Sequence, residues 1–229
     1  MTDATAAAAP AAMPEFAGAL RKLWPHGDAK VPGLIEGIIA AAPVVFPKYG
    51  LTSGIVVAHA MAEFSEESGC GLEMQENMNY SAGRLLQVFP THFSHDQAIA
   101  LQHNPRAIAD QAYGGRMGNA PPPSDDGWRF RGQGLSQVTG KFGYVALASK
   151  TGLDLLNHPE LIIAPATALE CGVADFVLCG CLPYAQKDSL VGVSSMLNVG
   201  HFVSDPGKIN GYAMRKSWLA LWKHALGVA

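Results

Sequence analysis

Residues 61 to 82 read MAEFSEESGCGLEMQENMNYSA, and this stretch places two glutamates, Glu67 and Glu76, on either side of a change in chain direction. Apolar residues recur near helical spacing before Glu67, which predicts an amphipathic helix over residues 53–68. The glycines of Gly69-Cys70-Gly71 allow the backbone to leave that helix with positive φ angles. The pattern therefore predicts a helix that carries Glu67 in its last turn, followed by a chain that turns back.

The two glutamates have the chemistry for glycosidic bond hydrolysis if the turn brings them together. A continuous helix would separate them by roughly 13 Å along its axis, and bending at the glycines shortens that distance. An inverting glycosidase needs a proton donor and a water-activating carboxylate about 6.5 to 9.5 Å apart. Acidic residues at a helix C-terminus oppose the macrodipole, and this cost in stability favours a functional interpretation. Spacing alone equally allows two solvated surface glutamates, because unpaired Glu is usually exposed.

A long irregular segment, residues 114–130, is dense in Gly, Pro and Asp. Such loops in compact domains usually carry function or are mobile, and a plain surface loop is the alternative. Trp128, Arg129 and Arg131 close the segment. Aromatic and guanidinium groups at the edge of a cleft can stack on sugar rings and bind hydroxyls. In the next stretch, Gly132 and Gly134 lack a Cβ and would let the backbone approach a sugar closely.

Two segments carry a resemblance to a known family. EESGCGLEMQENMNYSAGRLLQVFP, residues 66–90, resembles the catalytic segment of glycoside hydrolase family 19, in its compact branch of phage endolysins and bacterial chitinases. That family usually has His-Glu-Ser-Gly, Glu-Asn-Leu-Asn-Tyr-Ser-Ala and Leu-Leu-x-x-Phe-Pro at this spacing. RGQGLSQVTGKFGY, residues 131–144, resembles its second signature, Arg-Gly-Arg-Gly-Leu-Ile-Gln-Leu-Thr-Gly followed by Tyr. The resemblance spans residues 54–215. Glu66 replaces the usual His, Gln133 the usual second Arg, and Ser136 the usual Ile.

The resemblance implies an all-α, lysozyme-like fold with two helical lobes and a substrate cleft, over residues 15–229. It implies that Glu67 donates a proton, Glu76 activates a water and Thr139 holds that water. Shielding by the apolar helix and neighbouring carboxylates would keep Glu67 protonated, while Arg131 or Arg215 near Glu76 would keep it ionised. The substrate-binding residues implied by the resemblance are Tyr80, Trp128, Arg131, Gln137, Asn198 and Arg215. No metal or organic cofactor is implied.

The implied substrate is a β-1,4-linked glycan that contains N-acetylglucosamine. The phage-like Glu-Asn-Met-Asn-Tyr variant and the compact length favour peptidoglycan, as for an endolysin, and chitin oligomers are the alternative. A lytic transglycosylase also uses a helix-terminal Glu-Ser and a Gly-Leu-x-Gln turn, but it needs one catalytic acid. A lysozyme-like binding or phage structural protein without activity is a further alternative, which the departures at Glu66 and Gln133 favour.

Composition limits the remaining classes. The 229 residues suggest one domain, and a formal net charge of −3 argues against a general nucleic-acid binder. Four cysteines are too few and too unevenly placed for a disulfide framework, and the spacing of Cys179 and Cys181 is not that of a zinc knuckle. We expect a monomer without a membrane span.

The first 14 residues, MTDATAAAAPAAMP, are rich in Ala and Pro and predict a disordered tail. They lack the basic region and Leu/Val-type core of a signal peptide. We therefore expect synthesis in the cytoplasm and action on the cell wall or an extracellular glycan, with release through a membrane lesion made by another protein as a hypothesis.

Periodicity predicts the remaining helices, with Ser81 and Ser94 as N-caps of two of them and Asn104-Pro105 at the start of a third. Trp218, Leu219, Leu221, Trp222 and Leu226 predict a docking face on the last of these. The predicted ranges are 14–24, 32–49, 81–89, 94–103, 105–113, one after Tyr144 that ends at Thr151-Gly152, a short helix from His158-Pro159, 164–181, 189–198, and a last helix from Asn210-Gly211.

Overall fold

The computed structural model describes residues 14 to 228, and this part of the chain is helical without a β-strand. Two 3₁₀ turns, Pro159–Ile162 and Pro206–Lys208, and one π turn, Ser195–Val199, complete the helices. The helices are α1 Pro14–Leu23, α2 Leu34–Lys48, α3 Gly54–Glu67, α4 Ala82–Val88, α5 His95–Leu101, α6 Pro105–Tyr113, α7 Asp126–Arg129, α8 Lys141–Thr151, α9 Ala168–Leu178, α10 Leu182–Ala185, α11 Leu190–Ser194 and α12 Tyr212–Ala225.

Two separate hydrophobic cores divide the molecule into two lobes. The larger core is formed by α1 to α3 and α8 to α12, and the smaller core by α4 to α6 with Met78. Met74 lies in the larger core and Met78 in the smaller, so the chain passes from one lobe to the other between them. The predicted all-α, two-lobed architecture is confirmed.

Helix α3 is the centre of the larger lobe. Residues 56 to 65 are all buried, so the expected amphipathic helix is instead buried on every side. Its polar side chains have buried partners, as buried polar groups require. Ser65 Oγ accepts hydrogen bonds from the indole nitrogens of Trp24 at 2.8 Å and Trp222 at 2.9 Å, and it donates to Met61 O at 2.7 Å. Hydrogen bonds to one serine thus join α3 to α12 and to Trp24, the residue that follows α1.

The capping predictions are confirmed for three helices. Ser81, Ser94 and Asn104 each accept a hydrogen bond from a backbone N–H of the first helical turn, which satisfies a donor that the helix leaves free. Gly152 ends α8 in the left-handed conformation, with φ 81°, as glycine permits.

Three expectations from periodicity are corrected. Helix α9 begins at Ala168 rather than 164 and ends at Leu178, because residues 164–167 form a turn and the chain turns again before Leu182. The irregular segment 114–130 contains the short helix α7. On α12, Leu221 is 46% exposed and does not belong to the docking face, whereas Leu219 and Trp222 are buried.

The predicted tail falls almost entirely outside the described residues, since only Pro14, the first residue of α1, is included. No helix between residues 14 and 228 is long and apolar enough to cross a membrane. All four cysteines have free thiols, and Cys171 and Cys181 are buried.

Candidate active site

The chain turns sharply where α3 ends at Glu67. Gly69, Cys70 and Gly71 have φ angles of 53°, 58° and 86°, so three successive residues are left-handed. A Cβ on Gly71 would lie 2.9 Å from the carbonyl oxygen of Gly27, which leaves room only for glycine. The expected change of direction at these glycines is confirmed, and Cys70 takes part in it as well.

This turn brings Glu67 and Glu76 to one cleft between the lobes. The cleft has a volume of about 720 Å³ and is lined by four of the predicted site residues, Glu67, Glu76, Tyr80 and Gln137. Glu67 comes from the end of α3 in the larger lobe, and Glu76 lies on the segment that connects the two cores. Clefts of this size with converging polar groups are typical of small-molecule sites.

Glu67 lies against a buried cation. Arg215 Nη2 donates to Glu67 Oε1 at 2.5 Å, and Arg215 Nη1 donates to Glu63, one helical turn earlier on α3. The side chains of Glu63 and Arg215 are 0% and 2% exposed, whereas that of Glu67 is 18% exposed. Arg215 therefore pairs with Glu67 and Glu63, which corrects the expectation that it lies near Glu76.

Glu63, Arg215 and Glu67 form a buried cluster with two carboxyl groups and one guanidinium. Burial raises the pKa of Glu63, although the charge of Arg215 and a 2.6 Å hydrogen bond from Ser194 Oγ oppose the rise. Burial lowers the pKa of Arg215, but the charges of both glutamates more than offset this, and the net shift is upward. One cation compensates the acidic end of α3, and one proton on either carboxyl makes the cluster neutral.

The hydrogen bonds to Glu76 come from neutral donors. The expected proximity of Arg131 to Glu76 is confirmed, because the charges of the two groups interact, although no hydrogen bond joins them. Tyr113 Oη donates to Glu76 Oε1 at 2.7 Å, and the backbone N–H of Gly132 donates to Oε2 at 3.3 Å. Burial, followed by the charge of Glu76, raises the pKa of Tyr113, so its phenol remains a donor. The Glu76 backbone N–H donates to Gly132 O at 2.8 Å, which fixes this segment against the second signature.

Three side-chain oxygens converge beside Gly132. A Cβ on Gly132 would lie 3.0 Å from Gln137 Oε1, 3.2 Å from Thr139 Oγ1 and 3.4 Å from Glu76 Oε2. The absence of a side chain here keeps that space open between them. Gly134 has a different requirement, because its φ is 83° and a Cβ there would lie 3.0 Å from Ile162.

Gln137 and Thr139 are both fixed by the main chain. The Gln137 side-chain nitrogen donates to Glu73 O at 2.6 Å and Gly134 O at 3.2 Å, which leaves its oxygen for the cleft. Its φ of 54° is uncommon for a non-glycine residue, and such strained residues cluster at functional sites. Thr139, predicted to hold the water, is not among the residues that line the cleft. Its Oγ1 donates to Gln137 O at 3.0 Å, so its lone pairs can accept from another group.

Trp128 and Arg131 do not line the cleft. The guanidinium carbon of Arg131 lies 3.7 Å from the centre of the Trp128 ring, and Nη1 donates to the Trp128 carbonyl oxygen at 2.8 Å. Arg131 is only 8% exposed, and Trp128 packs on the smaller core. The Arg131 guanidinium thus stacks on the Trp128 ring rather than facing the cleft. This contact joins the second signature to the smaller lobe.

Asn198 and Arg215 are also placed away from the cleft lining. Asn198 Oδ1 accepts from the backbone N–H of Asn210 at 3.0 Å, and the Asn210 carbonyl oxygen accepts from Arg215 Nε at 3.0 Å. Asn198 thus fixes the loop before α12, and that loop orients the arginine that binds Glu67. The structure gives both residues positioning contacts rather than an open face toward a substrate.

Two of the three departures from the family pattern, those at Gln133 and Glu66, lie against identified neighbours. Gln133 accepts from Gln75 Nε2 at 2.7 Å and donates to Arg129 O at 2.9 Å, so it joins the two signatures from a buried position. Glu66 lies over Gly211, where a Cβ would be 2.4 Å from Glu66 Oε1. Burial raises the pKa of Glu66, with Arg215 opposing the shift.

The sequence pattern did not identify Tyr113 or Glu63 as site residues. The spacing of Glu63 and Glu67, four residues apart on one helix face, was the available signal for a shared partner. Tyr113 offered none, because it reaches Glu76 from α6 in the other lobe.

Comparisons with known proteins show which proteins this chain resembles in sequence and in fold. No family model matches the chain. A Haemophilus influenzae protein described as a glycosyl hydrolase family 19 domain-containing protein is 32% identical over 181 residues, which cover 78% of this chain and 84% of that protein. Two solved structures, a mutant of chitinase C and chitinase C from Streptomyces griseus HUT6037, share the fold with TM-scores of 0.61 and 0.57, at 15% and 16% identity, over 93% of this chain and 92% of each of theirs. The chain belongs to glycoside hydrolase family 19.

Proposed function

We propose that the protein hydrolyses β-1,4 bonds of glycans that contain N-acetylglucosamine, by inversion at the anomeric carbon. The observation that carries the proposal is the placement of Glu67 and Glu76 in one cleft with different partners, a buried arginine for the first and neutral donors for the second. Two carboxyl groups in unlike environments can take the opposite acid and base roles that glycoside hydrolysis needs.

Glu67 would be the proton donor. In the proposed step its proton passes to the glycosidic oxygen as the bond from that oxygen to the anomeric carbon breaks. A proton on Glu67 makes the cluster with Glu63 and Arg215 neutral before the step. Arg215 then stabilises the carboxylate that the transfer leaves behind.

Glu76 would be the general base. A water in the space beside Gly132 could donate one hydrogen bond to Glu76 Oε2 and another to Thr139 Oγ1, whose own proton is held by Gln137 O. The water oxygen attacks the anomeric carbon from the face opposite the leaving group, and its proton passes to Glu76. Proton exchange with solvent restores both glutamates.

Tyr80 and Gln137 would hold the sugar. Tyr80 lines the cleft from the smaller lobe, where its ring packs edge-on against Phe89 at 5.9 Å between centroids. Gln137 Oε1 can accept from a sugar hydroxyl or amide because its nitrogen is already bonded to the main chain. In this proposal the water is held by Thr139, and the sugar is contacted by Gln137 and Tyr80. The protein around the cleft is supported by Trp128, Arg131 and Asn198.

Peptidoglycan is the proposed substrate, on the strength of the Glu-Asn-Met-Asn-Tyr sequence and the compact chain. Chitin oligomers are the second candidate, since a net charge of −3 suits a neutral glycan. The solved chitinase C structures share the fold, and their low identity leaves this choice open to experiment.

Product analysis in heavy-oxygen water tests the proposal. Purified protein is given peptidoglycan sacculi and a chitin oligomer, and the fragments are read by mass spectrometry. Oxygen-labelled muropeptides identify a peptidoglycan hydrolase, and labelled chitin fragments alone identify a chitinase. Unlabelled anhydro-sugars would indicate a lytic transglycosylase, and no cleavage of either glycan would overturn the enzymatic proposal in favour of glycan binding.

Replacing Tyr113 by phenylalanine tests the proposed base from the opposite lobe. We expect kcat/KM to fall about tenfold or more, because hydrogen bonds to charged groups contribute about 1.5 to 3 kcal/mol. The loss should fall on the rate of the reaction, with little change in the free energy of unfolding measured in urea. A loss of activity matched by a lower free energy of unfolding would show that Tyr113 only supports the fold, and Tyr212→Phe on α12 is the matched control.

A further inference from the structure

Lys30 occupies an unusual position in the cleft. It lies on the loop between α1 and α2, and it lines the same cleft as Glu67, Glu73 and Glu76. Lys30 is exposed, and within residues 14–228 it has no carboxylate within 4.0 Å. Its ammonium group is therefore free to bind an anion that enters the cleft.

The loop that carries Lys30 is fixed to the cleft wall. Asp28 Oδ1 accepts from the backbone N–H of Ile35 at 2.7 Å, which ties the loop to the first turn of α2. Gly27 is buried against Gly71, on the turn that follows Glu67. The main chain on either side of Lys30 thus keeps a defined position relative to the proposed proton donor.

The charges of the cleft give this lysine a consequence for substrate choice. Glu67 is paired with Arg215, but Glu73 and Glu76 repel an acidic glycan that enters the cleft, and they do not repel a neutral glycan. Lys30, at one edge of the cleft, attracts a substrate that carries a carboxylate beside the sugar chain, and this attraction offsets the repulsion. A glycan without a carboxylate gains nothing from the lysine. Chitin has no such group, whereas peptidoglycan carries acidic substituents on alternate sugars.

We infer that Lys30 is a specificity-determining residue that binds a substituent carboxylate of peptidoglycan, either on a peptide stem or on a lactyl group freed of its peptide. The inference rests on the proposed glycosidase function and names the substrate class of that site. The ion pair would form at an exposed rim, so it is screened by salt.

The test compares wild type, Lys30→Gln and the control Lys22→Gln, an exposed lysine on α1. Each is given soluble peptidoglycan fragments with intact stems, fragments whose stems have been removed, and the same fragments with carboxyl groups amidated. We expect Lys30→Gln to lower the ratio of kcat/KM for the carboxylated over the amidated fragments about fivefold, which corresponds to ~1 kcal/mol. The loss should appear in KM and shrink at high salt.

The arms separate the possible results. If Lys30→Gln lowers the ratio of kcat/KM for carboxylated over amidated fragments only when the stems are intact, Lys30 binds a stem carboxylate. If it lowers the ratio only for stem-free fragments, Lys30 binds the carboxylate of the lactyl group. An unchanged ratio for both, with wild type active, overturns the inference and leaves the proposed function standing. If wild type cuts none of the fragments, it is the proposed peptidoglycan activity that fails.

Discussion

Replacing Arg215 by methionine should lower the free energy of unfolding by about 3 to 5 kcal/mol at neutral pH, because removing one partner of a buried ion pair leaves an uncompensated buried charge. Glu63 is fully buried, and its remaining partner would be the Ser194 hydroxyl. Urea unfolding followed by circular dichroism measures the change. Lys216→Met, at the exposed neighbour of Arg215, is the control and should cost little.

The loss of stability in Arg215→Met should be larger at slightly alkaline pH than under mildly acid conditions. Burial raises the pKa of Glu63, so its contribution to stability is complete below the unfolded value of about 4.3 and is lost as pH rises through the native value. Without the guanidinium that opposes this rise, the native pKa moves further up. Arg215→Met should therefore be most destabilised at slightly alkaline pH and recover part of its stability under mildly acid conditions.

A double variant separates the charge from the packing. Glu63→Gln removes the buried carboxyl, and in the Arg215→Met background it should restore most of the lost stability by removing the charge. An equal loss of stability at slightly alkaline and mildly acid pH, with no rescue by Glu63→Gln, would contradict the prediction. It would show that Arg215 stabilises the fold through the packing of its aliphatic carbons. The two positions are in contact, so their effects should not add.

Local sequence patterns predicted most helices because capping and periodicity are short-range properties. Ser81, Ser94 and Asn104 each bond within their own first turn, so their role is readable from neighbouring residues alone. The start of α9 was misplaced because Ala164-Pro165 is also compatible with a first helical turn, where proline is tolerated, although residues 164–167 form a separate turn. Burial of α3 on all sides depends on α9 to α12, which pack against it from distant parts of the sequence, and a single helical pattern does not contain that information.

The site was predicted less completely than the fold because its partners come from distant elements. Glu67, Glu76, Tyr80 and Gln137 stand in two signatures whose order and spacing indicated a shared cleft, and all four line one. The partner of each glutamate was not predictable in this way. Arg215 reaches Glu67 across 148 residues, and Tyr113 reaches Glu76 from the other lobe. Arg131 was expected at the substrate because it begins the second signature, yet burial against Trp128 gives its charge a partner within the protein.

The two glutamates have opposite proposed roles, and substitution of each by glutamine should separate them. Glu67→Gln should lower kcat on a natural glycan by about 10³-fold or more, since a positioned general acid contributes about 10²- to 10⁴-fold. Glutamine keeps the size of the side chain and an oxygen for Arg215, so substrate affinity and unfolding should change little. Glu73→Gln, in the same cleft, is the control and should change kcat less than about fivefold, as expected for ~1 kcal/mol from a surface charge.

The leaving group tells the proton donor from the base. An N-acetylglucosamine oligomer with a dinitrophenyl leaving group needs no proton as its bond breaks, so Glu67→Gln should retain much of its activity on that substrate. Glu76→Gln should be inactive on both, because each still needs an activated water. If Glu76→Gln instead retained full activity on peptidoglycan, a single-acid transglycosylase mechanism would replace inversion. If Glu67→Gln lost the aryl substrate as well, the residue would be acting on something other than the leaving-group oxygen. Glu67 can be assigned as the proton donor and Glu76 as the general base only if both variants behave as expected on both substrates.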